Sequence, residues 1–186
     1  MLKRIHGHTV DTNLLYYNIV IDLGCRDFLF SKEMINLGCC VCAYDADKTV
    51  LEKLPSGVEF KNYAVGVKRG MTKIYYELTE GAFTSDVKEF NGNYYEIETI
   101  SYKDIINKEY DILKIDIEGG EYAILSDPTF IPYPKQITVE FHEHSLLEIH
   151  NKLFKKVLNN LKKWYDLVYF FKENEFPYID TLFIRR

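Results

Sequence analysis

The sequence predicts an α/β fold built on a doubly wound, mostly parallel sheet. Three observations predict it. Short apolar runs alternate with helical segments along most of the chain, the order in which parallel strands and crossover helices follow one another. The first such run, N-I-V-I-D-L-G-C, stops at a single glycine, where these folds turn from strand to helix. The last two runs, 166–171 and 178–184, stand close enough to pair as an antiparallel hairpin around 174–177, which a mixed sheet accommodates.

The elements follow in order. Residues 1–17 read as a short N-terminal extension, too small to form a lid, with His6 and His8 on the surface. Residues 18–25 form a buried strand. Residues 28–37 form a helix, with Asp27 its N-cap and Gly38 its stop. Residues 39–44 form a second strand ending at Asp45, followed by a short helix over 48–54 and a third strand over 58–63. Strand-like runs at 73–78 and 94–100 flank a polar stretch with Gly81, Ser85 and Asp86. They suggest a β excursion that crosses to the other half of the sheet. A helix near 121–125, a strand over 136–141 and a long amphipathic helix over 146–163 precede the terminal hairpin.

The stretch D-I-L-K-I-D-I-E-G-G-E, residues 111–121, is the most informative. Ile112, Leu113, Ile115 and Ile117 suit a buried strand. Lys114, Asp116 and Glu118 recur every second residue, so they share one face. Charge on a central strand is costly unless paired or used. Gly119 and Gly120 then break the strand, so this segment is expected to floor an active site.

The 186 residues fit a single domain. The net charge of −5, with basic residues scattered, argues against a nucleic-acid groove. No apolar run reaches membrane-spanning length and the first residues lack an apolar signal core, so a cytoplasmic protein is expected. The four cysteines, Cys25, Cys39, Cys40 and Cys42, match no zinc spacing and read as reduced thiols.

Doubly wound sheets bind ligands at the carboxyl ends of their strands. Asp45 lies 21 residues after Gly24, a spacing at which an acid accepts ribose hydroxyls. The turn D-L-G-C-R-D-F lacks the further glycines of a pyrophosphate cradle, and Asp27 would repel a diphosphate. NAD is therefore disfavoured. S-adenosylmethionine, which has adenosine and a sulfonium but no phosphate, suits the acids, and Arg26 could meet its carboxylate.

These residues make the chain similar to the FkbM family of S-adenosylmethionine-dependent methyltransferases. V-I-D-L-G-C resembles the family's first motif, and A-Y-D-A-D its acid after the second strand. N-Y-A-V-G-V-K-R-G-M-T-K-I-Y-Y resembles its segment after the third strand. E-T-I-S-Y-K-D-I-I followed by I-L-K-I-D-I-E-G-G-E-Y-A-I-L is the most specific match, and V-E-F-H resembles its fifth-strand ending. The resemblance implies a Rossmann-like class I methyltransferase fold, with a seven-stranded sheet and helices on both faces. It also implies methyl transfer from S-adenosyl-L-methionine to a hydroxyl of a sugar, glycan or small metabolite. The cofactor-binding candidates are Asp22, Gly24, Cys25, Arg26, Asp45, Ala46, Ala64 and Asp116. The catalytic candidates are Asp116, Glu118 and His142, with His142 the better base by intrinsic pKa. Lys114 is expected to pair with Glu140 deeper in the sheet. Phe28 stands where the family usually has a second glycine and is expected to narrow the methionine end of the pocket. No resident metal is expected, although Glu140, His142 and His144 form a competing divalent-cation set. A catalytically silent Rossmann-like module, and a methyltransferase for nitrogen or nucleic acid, are the alternatives.

Overall fold

The computed structural model describes residues 1–77, 81–84, 94–142, 147–172 and 178–186. The chain opens with an antiparallel hairpin, β1 (Leu2–Ile5) and β2 (His8–Asp11). Its turn residues His6 and Gly7 both have positive φ, 46° and 89°, the backbone twist that a two-residue hairpin requires. β3 (Ile19–Leu23) and α1 (Leu29–Asn36) follow, then β4 (Cys40–Asp45), a 3₁₀ turn (Lys48–Lys53) and β5 (Val58–Asn62). β6 (Ala64–Gly66), β7 (Gly70–Glu77), β8 (Gly81–Thr84) and β9 (Tyr94–Ser101) come next. α2 (Tyr102–Ile105), β10 (Tyr110–Ile115), α3 (Glu121–Leu125), β11 (Pro134–His142), α4 (Leu147–Leu161), β12 (Tyr165–Lys172) and β13 (Tyr178–Arg185) complete the chain.

Among the described residues, seven strands form the main sheet in the order β12-β13-β11-β10-β3-β4-β5. The four pairings from β11 to β5 are parallel, and the two that involve β13 are antiparallel. The sheet is thus mixed, with the expected closing pair at one edge. Side-chain alternation splits the core between its two faces. Val20 and Ile112 point to one face with Phe30 and Met34 of α1. Their neighbours Ile21 and Leu113 point to the other, with Ile124 of α3 and Val157 and Leu161 of α4. Helices therefore cover both faces.

The excursion differs from the expectation. Among the described residues it does not join the main sheet but forms a second one, in the order β6-β9-β7-β8. β6 runs parallel to β9, with Ala64 opposite Thr99, and β7 pairs antiparallel with β9. Gly81 lies within β8, whereas Ser85, Asp86 and the 174–177 connection lie outside the described residues.

The N-terminal extension also differs. The hairpin docks against the main sheet through Gln136 of β11, whose Oε1 accepts from the Asp11 N–H at 2.8 Å and whose Nε2 donates to the Asp11 carbonyl at 3.1 Å. Ile5 and Val10 join the core. His8 is not on the surface but buried at 2% exposure. Asp111, also fully buried, accepts from the backbone N–H groups of Tyr16, Tyr17 and Ile19 and fixes the entry to β3.

Candidate active site

The carboxyl ends of β3, β4, β5, β10 and β11 converge on a cavity of about 630 Å³, within the range of small-molecule sites. Gly24 ends β3 with φ +80°, and a Cβ there would overlap the backbone carbonyl of Asp116. The lone-glycine turn and the K-I-D-I-E-G-G-E segment are therefore in backbone contact.

Asp45 closes the other side of the turn. Its Oδ2 accepts from the N–H groups of Cys25 at 2.9 Å and Arg26 at 3.0 Å, and its Oδ1 from the N–H of Asp47 at 2.9 Å. A carboxylate has about four acceptor sites, so Oδ1 keeps capacity for a further donor. Burial raises the Asp45 carboxyl above its ordinary pKa, and the three backbone donors pull it back. Asn62 Nδ2 and the Tyr95 hydroxyl donate to the carbonyls of this corner, at 2.9 Å to Asp45 and 3.0 Å to Ala46 respectively. These two residues carry no motif signal in the sequence.

Gly24, Arg26, Asp45, Ala46 and Ala64 line the cavity, as do Asp116 and Glu118. Two of the predicted cofactor residues do not. Cys25 is buried and contributes its backbone N–H to Asp45. Asp22 is fully buried under the turn, where the Ser31 hydroxyl donates to it at 2.5 Å.

Lys114 corrects an expectation. Its partners are Asp22 at 3.1 Å and Asp116 at 3.4 Å, and its ammonium also donates to the Gly24 carbonyl. The register explains this. Lys114 lies opposite Asp22 of β3 on one side and Thr138 of β11 on the other, so Glu140 falls two residues beyond its reach. Burial works against the Lys114 charge, but Asp22 and Asp116 outweigh it and raise its pKa. Burial likewise opposes the Asp116 carboxylate, yet Lys114 and then His8 hold it well below the usual carboxylate range.

His142 stands among four carboxylates. Its Nδ1 is 3.2 Å from Glu121, and its Nε2 is 3.2 Å from Glu118, 3.5 Å from Glu140 and 3.8 Å from Asp116. Burial disfavours the imidazolium, but Glu121 and Glu140 lead the groups that raise its pKa well above the ordinary value. Glu121 is fully buried. It reaches back to accept the N–H groups of Ile117 at 2.9 Å and Gly119 at 3.0 Å, as an acid at a helix start can. That local signal reads as helix capping and conceals the second role, orienting His142. Glu118 adopts φ +54° in the turn, and burial raises its carboxyl despite the neighbouring His142.

Phe28 gives a second correction. It takes the left-handed backbone of a glycine, φ +57°, yet its ring is fully buried and packs edge-on against Phe60 with centroids 5.7 Å apart. It points into the core and not into the cavity, so it does not narrow the pocket. The N-cap of α1 is Phe28 and not Asp27, which stands one residue earlier and accepts the Leu29 N–H at 3.0 Å.

Ligand atoms of Asp116, Glu118 and His142 lie within 4.8 Å of one another, as do those of His8, Asp116 and Glu140. Lys114 and His142 already pair with these carboxylates, so their charge does not call for a cation. His144 lies outside the described residues.

The model of the FkbM methyltransferase domain matches residues 18–173. Among solved structures, the FkbM methyltransferase of Methylobacillus flagellatus KT is similar over 89% of this chain and 42% of its own, with 15% identity and a TM-score of 0.57. This chain thus spans about two fifths of that protein's length. A dimethyladenosine transferase from Plasmodium falciparum has 10% identity over 94% of this chain and 60% of its own, TM-score 0.49. A putative RNA methyltransferase from Pyrococcus horikoshii has 14% identity over 90% and 72%, TM-score 0.44. Likeness at those scores carries no argument about the acceptor. Among curated proteins none matches. With the family model matching most of its length and the Gly24–Asp45–Asp116 arrangement in place, the chain belongs to the FkbM methyltransferase family.

Proposed function

We propose that the protein is an S-adenosylmethionine-dependent O-methyltransferase that acts on a hydroxyl of a sugar, glycan or small metabolite. A single observation carries this reading: one cavity joins the Gly24–Asp45 corner to the Asp116–Glu118–Glu140 acids. The first half suits a nucleoside without a diphosphate, with Tyr44, Val50 and Ala64 as apolar lining and a free acceptor on Asp45. The second half suits the positive charges of the cofactor and a hydroxyl that must lose a proton.

S-adenosylmethionine, when bound, supplies a methyl group already activated on sulfur. The residues have to align the acceptor and receive its proton. His142, held as an imidazolium by its carboxylates, is a donor and an orienting charge. We therefore assign proton acceptance to Glu118, whose carboxyl, partly shielded from solvent, is more basic than usual and which lines the cavity. Asp116, kept ionised by Lys114, holds the acceptor or the sulfonium end by charge. The four cysteines are unpaired thiols, in keeping with the reducing cytoplasm. No helix among the described residues is long and apolar enough to cross a membrane.

The test is transfer of labelled methyl from S-adenosylmethionine to a panel of sugars, glycans, amines and RNA. The reading expects a methyl ether on a hydroxyl. Labelled amine or RNA in place of an ether would overturn the acceptor class.

A further inference from the structure

His8 lies outside the matched stretch of 18–173, yet it reaches the acid cluster. We propose that the N-terminal hairpin supplies a positioning residue for the site: His8 secures Oδ2 of Asp116, so that Oδ1 is the oxygen presented to the ligand. The proposal rests on the methyltransferase reading above and deepens it.

The geometry is specific. His8 Nε2 is 3.5 Å from Asp116 Oδ2, and Lys114 Nζ is 3.4 Å from the same oxygen. Oδ1 faces His142 Nε2 at 3.8 Å. His8 Nδ1 is buried and has no hydrogen-bond partner among the described residues. A proton on Nδ1 would be left unsatisfied, so the ring proton belongs on Nε2, the nitrogen that faces Asp116. The ring plane is set by Phe30, whose centroid lies 5.5 Å away at 77°.

The hairpin that carries His8 is itself fastened. Besides the Gln136–Asp11 pair, the Thr9 hydroxyl donates to Asp180 of β13 at 3.3 Å. The turn comes up to the same acids, and a Cβ on Gly7 would sit 3.6 Å from Glu140 Oε2. Asp116 thus meets Lys114 from β10, His8 from β2 and His142 from β11, with Glu140 of β11 within 4.8 Å, Asp22 of β3 behind Lys114 and Glu118 in its own turn.

The test is a double-mutant cycle on S-adenosylmethionine affinity, read by calorimetry, together with the ring ¹⁵N shifts of His8. His8→Ala is expected to weaken binding about tenfold in the native background and less than twofold in Asp116→Asn, the non-additivity of groups in contact. His8→Gln, whose amide can donate from near the Nε2 position, is expected to recover most of the affinity. The ¹⁵N shifts should show a proton on Nε2. Equal losses in both backgrounds, no loss, or a ring protonated at Nδ1 alone would overturn the proposal. If the native protein binds no S-adenosylmethionine, the methyltransferase reading fails, and the ring tautomer still decides the His8–Asp116 contact.

Discussion

Gly24 and Asp116 meet through their backbones: the Cβ that any other residue would place at position 24 overlaps the Asp116 carbonyl. Because β3 and β10 are parallel neighbours, this contact sets how closely the two halves of the site approach. Gly24→Ala meets both the overlap and the left-handed φ of +80°. Chemical denaturation should show a loss of about 2–5 kcal/mol, the sum expected from overpacking and backbone strain, and cofactor binding should be lost with it.

Lys114 is the sole ammonium paired with Asp22 and Asp116 among the described residues. Lys114→Met should strand the fully buried Asp22 carboxylate, leave Asp116 with only its histidine neighbours, and cost about 3–5 kcal/mol, as breaking a buried pair does. Adding Asp22→Asn should restore part of that stability, since the stranded charge is then removed. Denaturation midpoints of the single and double variants check this.

Phe28→Ala should cost about 3 kcal/mol through the cavity it leaves against Phe60. Affinity for S-adenosylhomocysteine should stay within about threefold of native, a tolerance of about 0.7 kcal/mol, because the ring does not line the cavity. A large gain in affinity would show that the ring does restrict the pocket.

Two groups make the fold less stable as pH rises, His142 because the fold favours its charged form and Asp180 because the fold favours its neutral form. The folded pKa of His142 lies above its unfolded value of 6.5, so its contribution to stability is complete below about pH 6.5 and is lost as pH rises through the folded value. His142→Gln should flatten that alkaline decline in a stability–pH profile. The Asp180 carboxyl, fully buried, is pushed up to about 6 from 3.8 by burial. Its contribution is complete below 3.8 and is lost as pH rises through about 6, which leaves an ionised buried carboxylate at pH 8. Asp180→Asn should therefore raise stability at pH 8 by about 1–2 kcal/mol, the scale of a buried unsatisfied group, and change little at pH 4.

Glu118→Gln should lower methyl transfer about 10²-fold or more, the usual scale of a lost general base, while S-adenosylhomocysteine affinity stays near native. Single-turnover transfer to an identified hydroxyl acceptor separates the two effects.

What could be read from the sequence followed local periodicity. The every-second-residue charges of Lys114, Asp116 and Glu118 and the 21-residue step from Gly24 to Asp45 are patterns within one or two elements. Gly24, Asp45, Asp116 and Glu118 line one cavity, and Lys114 lies buried behind them. What escaped depends on register and docking. Whether Lys114 meets Asp22 or Glu140 turns on a two-residue offset between β10 and its neighbours. His8 reads as part of a surface turn because its burial comes from β11 and β13, far along the chain. Phe28 looks obstructive in the sequence because the direction of its ring is set by the core around Phe60. The second sheet is not legible in the sequence because its strands find partners among themselves.

In the proposed function the Gly24–Asp45–Asp116 cavity holds S-adenosylmethionine. Calorimetric titration of the native protein and of Asp45→Ala with S-adenosylhomocysteine, with NAD as a control, tests it most directly. Saturable binding to the native protein, loss of binding in Asp45→Ala and no binding of NAD are the expected results. Native protein that fails to bind S-adenosylhomocysteine, or binds NAD in its place, would contradict it.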